Sequence, residues 1–137
     1  MLADGVESLM HRQVVAQCGE IRARVIQDRI VDVFPAAEKE MIRAMISTSL
    51  KAVISQTLCK TKDGSGRVAA HEIMIGTPAI NNLIREAKIS QMYSAIQTGQ
   101  QFGMQTLDQN LQELVKKGVI SNGEARSKAA NKDNFPG

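Results

Sequence analysis

The sequence has few cysteines, prolines and aromatic residues, and it has no long apolar run. Two cysteines among 137 residues, Cys18 and Cys59, argue against a disulfide-stabilised secreted module. Three prolines argue against a disordered proline-rich chain. No segment approaches the roughly 20 apolar residues that a membrane-spanning helix needs. The first residues also lack the basic start and apolar core of a secretory signal. We therefore expect a cytoplasmic protein with reduced thiols and no membrane span.

The excess of positive charge is small. Seventeen Lys and Arg residues stand against fourteen Asp and Glu residues, which gives a net charge of +3. Nucleic-acid binders usually have a denser basic face, often with aromatic platforms on which bases stack. The aromatic residues here are Phe34, Tyr93, Phe102 and Phe135. The composition therefore predicts an ordinary solvated surface and no nucleic-acid partner.

Apolar periodicity predicts a mostly α-helical chain with one β-hairpin, which is an α+β fold. Apolar residues recur at steps of three and four over residues 6–26, and this spacing predicts a helix. Pro35 is predicted to open a second helix, whose apolar face runs from Met41 through Ile54. The glycine-rich turn at residues 63–66 separates two β-capable runs, which predicts a hairpin over about residues 56–75.

The C-terminal half is predicted to hold short helices with recognisable ends. Its polar tail, residues 131–137, is expected to be flexible. The end signals, in chain order, are Thr77-Pro78 before a helix over 79–86, Gly99 after a helix over about 90–98, Thr106 before a helix that stops at Lys116-Lys117-Gly118, and a Ser121-Asn122-Gly123-Glu124 capping box.

The sequence contains none of the common catalytic motifs. No glycine is followed by lysine, so the Gly-x4-Gly-Lys-[Ser/Thr] phosphate-binding loop is absent. Only two histidines, His11 and His71, and no Cys-x-x-Cys motif occur, so we expect no zinc site. His71, Cys18 and Cys59 are predicted to be structural. By themselves the residues predict no catalytic, cofactor-binding or metal site.

Several long strings nevertheless resemble a known family. They are RVAAHEIMIGTPAINNLIRE at residues 67–86, DRIVDVFPAAEKEM at 28–41, AVISQTL at 52–58, QMYSAIQTG at 91–99 and GMQTLD at 103–108. Together they resemble the C-terminal part of the PilT-type twitching motility ATPase, which is the retraction motor of type IV pili in the secretion-ATPase superfamily. The resemblance extends from Asp28 to about Ala130.

The resemblance implies a fold, a function and partners. Family members are hexameric ring ATPases that use ATP and magnesium to retract a pilus, acting on the platform protein at the inner membrane. Residues 28–76 would then be the end of a RecA-like domain, and residues 77–130 the helical C-terminal subdomain. The protein would be cytoplasmic and peripheral to that membrane. The family's phosphate-binding loop lies upstream of the matched part, so this chain is expected to hold no cofactor itself.

The resemblance also implies a site. In the family, the segment Ala-Ile-Arg-Asn-Leu-Ile-Arg-Glu couples ATP turnover to movement. Asn81 replaces its first arginine, so a charge-dependent contact there is not expected to be retained. Without the resemblance, the segment would be an ordinary amphipathic helix. The residues that correspond to it are Ala79, Ile80, Asn81, Asn82, Leu83, Ile84, Arg85 and Glu86.

Two main hypotheses follow for the function. The chain is either a C-terminal fragment of the motor, unable to hydrolyse ATP alone, or a stand-alone interaction module that binds or regulates the intact ring. Residues 1–27 do not match the family stretch that should precede Asp28, and a shifted reading frame, a fusion or a diverged helix would each explain them. A hairpin without its neighbouring strands predicts a dimer, aggregation, or packing of residues 6–26 over its exposed face.

Overall fold

The computed structural model of the chain describes residues 29–136, so the helix predicted over residues 6–26 lies outside the described residues. Residues 29–32 are helical and precede the first complete element. In chain order the complete elements are α1 (Lys39–Ser49), β1 (Ala52–Lys60), β2 (Arg67–Ile75), α2 (Pro78–Arg85), α3 (Met92–Thr98), α4 (Leu107–Lys116) and α5 (Asn122–Lys128). Single 3-10 turns occur at Ala36–Glu38, Ile89–Gln91, Gln100–Phe102 and Lys132–Asn134.

The end of α1 differs from the prediction that its apolar face continues through Ile54. The helix stops at Ser49, because Leu50 has an extended backbone with φ −70° and ψ 122°. Val53 and Ile54 belong to β1 instead, where exposed and half-buried residues alternate. A period of two and a period of 3.6 cannot be separated over so few apolar residues. The prediction is therefore wrong beyond Ser49.

The hairpin is longer than predicted. β1 and β2 pair antiparallel from Ala52 opposite Ile75 to Lys60 opposite Arg67, so the first strand begins at Ala52 and not near residue 56. The glycine-rich turn joins them as expected. The outer edge of β2 is covered by Gln105, whose backbone exchanges hydrogen bonds of 2.9 and 3.1 Å with Ile73.

Local capping chemistry explains where most helices begin and end. The Thr106 hydroxyl accepts from the Gln109 N–H, and the Gln109 side chain accepts from the Thr106 N–H, which completes a capping box. Gly118, which follows α4, has φ +73°, a conformation that favours glycine. Ser121 caps α5 as predicted, but the capping box there is incomplete, because the Glu124 carboxylate accepts from the Lys60 N–H at 2.9 Å.

Two hydrophobic clusters hold these elements together. The first lies between α1, α2 and α3, and its fully buried members include Ile46, Met74 and Ile84. The second joins the hairpin to α4, α5 and the C-terminal residues. The predicted α+β fold with one hairpin is thus confirmed. The predicted domain boundary between residues 76 and 77 stays a prediction, since the first cluster takes residues from both sides of it.

The C-terminal residues differ from the flexible tail that the sequence predicts. Phe135 is only 2% exposed and belongs to the second cluster. The Asp108 carboxylate accepts from the backbone N–H groups of Ala130 at 2.7 Å and Asn131 at 2.9 Å, and from the Asn134 amide at 3.3 Å. A buried carboxylate and a buried aromatic ring therefore fix residues 130–135. Among the described helices, none is long and apolar enough to cross a membrane.

Candidate functional site

The candidate site is α2 with its C-cap Glu86, which together cover the coupling segment of the resemblance. Thr77 caps this helix, since its hydroxyl accepts from the Ile80 N–H at 3.3 Å, and Pro78 occupies the first turn. Gly76 connects β2 to the cap, and a Cβ there would lie 2.3 Å from the Leu50 carbonyl oxygen. Only glycine fits at this position, so the strand passes directly into the helix close to the end of α1.

One half of α2 is packing surface. Ile80 and Ile84 are 0% and 1% exposed, and both belong to the first hydrophobic cluster. Leu83 is half-buried against the same cluster. The helix packs directly against α1. These three residues face inward, as the amphipathic pattern predicts.

The other half of α2 is exposed and polar. Arg85 reaches back across the helix pair, with its Nη2 3.5 Å from the hydroxyl of the buried Ser47. The Asn82 amide donates to Glu86 at 3.4 Å, and Glu86 pairs with Lys88 at 2.7 Å. The Lys88 ammonium, by hydrogen bond and by charge, lowers the pKa of the Glu86 carboxyl. This exposed set carries charges of both signs on one short surface.

Asn81 lies between the two halves. Its amide nitrogen is 3.4 Å from the Gly76 carbonyl oxygen, whereas its amide oxygen is buried without a hydrogen-bond partner among residues 29–136. A buried oxygen of this kind costs free energy unless it is bonded. The structure thus places Asn81 against the start of α2, where it contributes no charge to the exposed half.

Ser47, Gly76 and Lys88 complete this site, and the sequence analysis did not single out any of them. Ser47 lies 38 residues before Arg85, so no local pattern links the two. Gly76 did carry a signal, because a glycine directly before Thr77-Pro78 often marks a tight approach of the backbone. Lys88 follows the helix by three residues, and its pairing with Glu86 depends on the turn at Ala87, where φ is +56°.

The glycine-rich turn at residues 63–66 does not form a phosphate cradle. The Ser65 N–H and hydroxyl both donate to Asp63, at 2.9 and 2.7 Å, and the Thr61 hydroxyl donates to the same oxygen at 2.8 Å. The Gly66 N–H donates to the Thr61 hydroxyl at 3.1 Å. These N–H groups are occupied within the turn, so they do not fit the phosphates of the ATP that the resemblance implies for the intact family.

The same hydrogen bonds predict an acid-sensitive turn. They lower the pKa of Asp63 from 3.8 to about 2, with the backbone and hydroxyl of Ser65 as the main causes. A carboxyl whose folded pKa is depressed stabilises the fold above its unfolded pKa, and it loses this contribution as the pH falls through about 2. We expect carbon-detected NMR to place the Asp63 midpoint near 2 in the parent chain. In a Ser65→Ala variant the midpoint should rise toward 3.8, and an unchanged midpoint would contradict this assignment.

Other titratable groups form no obvious site in the described part of the chain. No group of three His, Cys, Asp or Glu side chains within residues 29–136 is arranged to hold a metal ion. Cys59 is fully buried and belongs to the second cluster. Burial, followed by the charge of Glu124, raises the pKa of its thiol. A protonated, buried thiol is a poor nucleophile, which fits the structural role that the sequence predicts.

The sequence of this chain is similar to known pilus ATPases. No family model matches the chain. The chain is 68% identical over 108 residues to the type IV pilus retraction ATPase PilT of Pseudomonas aeruginosa, a match that covers 79% of this chain and 31% of that protein. It is 63% identical over 108 residues to a twitching motility protein of Neisseria gonorrhoeae, covering 79% and 29%. The chain therefore spans less than a third of the length of these two relatives.

A third relative bears on the N-terminal residues. The chain is 30% identical over 131 residues to the type IV pilus ATPase PilU of Pseudomonas aeruginosa, and this match covers 90% of the chain. That share is too large to leave all of residues 1–27 outside the match. Part of the segment that the sequence analysis leaves unmatched therefore lies within this match.

The comparison with solved structures also finds a pilus retraction ATPase. The crystal structure of the pilus retraction motor PilT with bound ADP superposes with a TM-score of 0.71 at 39% identity, covering 81% of this chain and 30% of that one. Sequence and fold thus agree on the same kind of protein and on a similar share of its length. The resemblance to the PilT-type twitching motility ATPases is therefore confirmed, and the chain corresponds to the C-terminal portion of such an ATPase.

Proposed function

We propose that this chain is the part of a type IV pilus retraction ATPase that passes movement to its partners, and that the exposed half of α2 is the contact surface. The observation that carries the proposal is the division of α2. Its apolar half is fixed under α1, while Asn82, Arg85 and Glu86 remain exposed. A helix held rigidly on one side can transmit a displacement through the other.

The tie between Arg85 and Ser47 supports this role. Ser47 is buried in the last turn of α1, and Gly76 brings the strand β2 close to the same turn. A shift of β2 relative to α1 would therefore move α2 and the guanidinium of Arg85 with it. Arg85 also offers a fork of donors suited to a carboxylate on a partner surface.

We propose that nucleotide chemistry belongs to another part of the intact protein. ATP and magnesium are the expected cofactors of the whole ATPase, and neither the sequence nor the closed turn at residues 63–66 supplies a phosphate cradle here. We propose a hexameric ring and the inner-membrane platform protein as partners, in a cytoplasmic position at the membrane. The high identity to retraction ATPases supports these proposals.

A binding experiment tests the surface. The purified 137-residue chain is titrated against an intact PilT-type ATPase and, separately, against the pilus platform protein. We expect micromolar binding to at least one of them, and we expect Arg85→Ala to weaken it by about tenfold, which is the loss of about 1.4 kcal/mol. The pure chain is expected to show no ATP turnover.

The control is Lys117→Ala at the residue that directly follows α4, because it removes one exposed positive charge away from α2, in this case one paired with Glu113. It should leave binding and the circular dichroism spectrum unchanged. Loss of helicity in Arg85→Ala would show that this side chain is structural. Absence of binding to both partners at micromolar concentration would contradict the proposed surface, and measurable ATP turnover would contradict the assignment of the nucleotide site to another part.

A further inference from the structure

Asn122 and Gly123 form a chemically reactive pair at the start of α5. The side-chain amide carbon of an asparagine can be attacked by the backbone nitrogen of the residue that follows it. A glycine in that position leaves the nitrogen uncrowded, because glycine has no Cβ. The attack forms a cyclic imide, which then opens with water. The reaction needs only these two residues and water.

The reaction replaces an amide by a carboxylate, and its atoms balance without an oxidant or a reductant. The Gly123 nitrogen forms a bond to Cγ of Asn122, the bond from Cγ to Nδ2 breaks, and the proton of the Gly123 N–H leaves with Nδ2 as ammonia. Water then adds to one of the two carbonyl carbons of the imide. Addition at Cγ gives aspartate, and addition at the backbone carbonyl carbon gives isoaspartate, in which the main chain runs through the side chain.

The attacking nitrogen of this pair is not crowded. Gly123 is exposed, and nothing lies within 4 Å of the point where its Cβ would stand. It is the second residue of α5, and N–H groups in the first turn of a helix have no carbonyl partner within that helix. The Ser121 hydroxyl, which caps the helix, accepts from the Glu124 N–H at 3.1 Å. The reaction therefore breaks no hydrogen bond of the Gly123 nitrogen within α5.

The pair Asp63-Gly64 has a similar sequence, but its surroundings oppose the same attack. The Gly64 N–H donates to the Thr61 carbonyl oxygen at 3.1 Å. The Asp63 carboxylate accepts from Ser65 and Thr61, which lowers its pKa to about 2 and keeps it ionised at neutral pH. An ionised carboxylate repels the electron pair of a nucleophile. Hydrogen bonds thus hold both reacting groups at residues 63–64, whereas at residues 122–123 the bond that matters is on the amide.

The amide of Asn122 is held by the C-terminal clasp, by which we mean residues 130–136. Its Nδ2 donates to the Pro136 carbonyl oxygen. The Arg126 guanidinium donates to the neighbouring Phe135 carbonyl oxygen at 3.4 Å, and Phe135 is buried in the second cluster. Asn122 and Arg126 are four residues apart, so they lie on the same face of α5. One face of this helix therefore holds the last residues of the clasp.

From this arrangement we propose that Asn122 deamidates spontaneously in the folded chain and that the reaction loosens the C-terminal clasp. An ionised aspartate only accepts hydrogen bonds, so it cannot donate to the Pro136 carbonyl oxygen. It also places a negative charge against that oxygen. An aspartate suits the first turn of a helix, so α5 is retained in that product, whereas isoaspartate lengthens the main chain at the first residue of α5. The change is irreversible, and it does not depend on the proposed function.

The clasp and the reaction oppose each other. While the Asn122 amide is bonded to Pro136, its side chain is kept from turning toward the Gly123 nitrogen. The reaction therefore proceeds from the fraction of molecules in which the clasp is open. Loosening the clasp should speed deamidation, and deamidation should loosen the clasp. This reciprocity distinguishes the proposal from the ordinary chemical ageing of an exposed Asn-Gly pair.

Peptide mapping by mass spectrometry measures the reaction. The purified 137-residue chain is incubated at neutral pH, and the peptide that contains Asn122 is followed for conversion to aspartate and isoaspartate. We expect slow conversion in the parent chain. Asp108→Asn, which releases the clasp at its other end, should speed conversion by at least about tenfold, or about 1.4 kcal/mol in the free energy of opening. Arg126→Ala should speed it less and in the same direction.

The matched control for the rate is Gly123→Ala. Nothing lies within 4 Å of the added Cβ, so the variant should fold like the parent chain. It should slow conversion by at least about tenfold, because a Cβ beside the attacking nitrogen restricts the backbone and crowds the approach to Cγ. Circular dichroism confirms that each variant is folded during the incubation.

Hydrogen exchange tests the effect in the opposite direction. Asn122→Asp reproduces the main-chain-conserving product, and it should speed exchange of the Ala130 and Asn131 amides by about tenfold. Gln100→Glu is the matched control, because it also turns an exposed amide into a carboxylate, at a position away from α5. It should leave exchange of the clasp unchanged.

Three results would overturn the proposal. The first is an Asn122 that stays an amide in the folded parent chain while the same chain in urea is converted. The second is a conversion rate that neither Asp108→Asn nor Arg126→Ala raises. The third is an Asn122→Asp variant whose clasp exchanges like that of Gln100→Glu, which would show that the amide of Asn122 does not hold the clasp.

Discussion

Ile84→Ala is expected to lower the free energy of unfolding by about 2 to 5 kcal/mol. Ile84 is 1% exposed and lies in the first hydrophobic cluster between α1, α2 and α3. Removing its side chain leaves a cavity where α2 is held under α1, and the surrounding residues can fill it only in part. Since domains of this kind are stable by only about 5 to 15 kcal/mol, the effect should be obvious in a urea unfolding curve monitored by circular dichroism.

The neighbouring residue supplies the control for this prediction. Arg85→Ala changes an exposed side chain that approaches the Ser47 hydroxyl only at 3.5 Å, and its effect on stability should stay within about 0.5 kcal/mol. Two neighbouring residues of α2 would then have different effects: the change at Ile84 would lower stability, whereas the change at Arg85 would weaken partner binding and leave stability almost unchanged. Equal losses of stability in the two variants would contradict the division of α2 on which the proposed function depends.

Asp108→Asn is expected to lower the free energy of unfolding by about 2 to 4 kcal/mol. Asp108 is 3% exposed, and its carboxylate accepts hydrogen bonds from Ala130, Asn131 and Asn134. An amide of the same shape puts an NH₂ group against one of these donors and removes the negative charge that strengthens the others. The residues that hold Phe135 in the second cluster should then be released.

Two measurements check this effect. Urea unfolding gives the loss of stability, and hydrogen exchange of the Ala130 and Asn131 amides reports whether the C-terminal residues detach first. Asp133→Asn is the matched control, because Asp133 is exposed and its effect should stay within about 0.5 kcal/mol. If Asp108→Asn unfolds like the parent chain, Asp108 does not anchor these residues.

The features predicted best from the sequence are helix ends and turns, because interactions between residues close together in the chain decide them. Thr77 and Pro78 before α2, Thr106 before α4 and Gly118 after it act on backbone groups within four residues of themselves. Such signals can be read from neighbouring residues alone. The turn at residues 63–66 belongs to the same class. The coupling segment was also found at the sequence level, but through long strings that resemble a family and not through its spacing.

The predictions failed at positions whose conformation depends on a residue far away in the sequence. The end of α1 at Ser49 depends on β1 pairing with β2, since Val53 and Ile54 fit a helical stripe equally well. Phe135 is buried because Asp108, more than twenty residues earlier, binds the backbone that carries it. Glu124 leaves its predicted capping box because the Lys60 N–H offers another partner.

By itself the sequence determined the α+β class of this protein, the positions of its caps and turns, and the family to which its long strings point. Only the tertiary structure decided where α1 ends, that Gln105 pairs with the outer edge of β2, and how the C-terminal residues are held. The physical reason is the range of the interactions. Caps and turns are satisfied within one turn of the chain, whereas burial and strand pairing join residues whose separation in sequence carries no periodic signal.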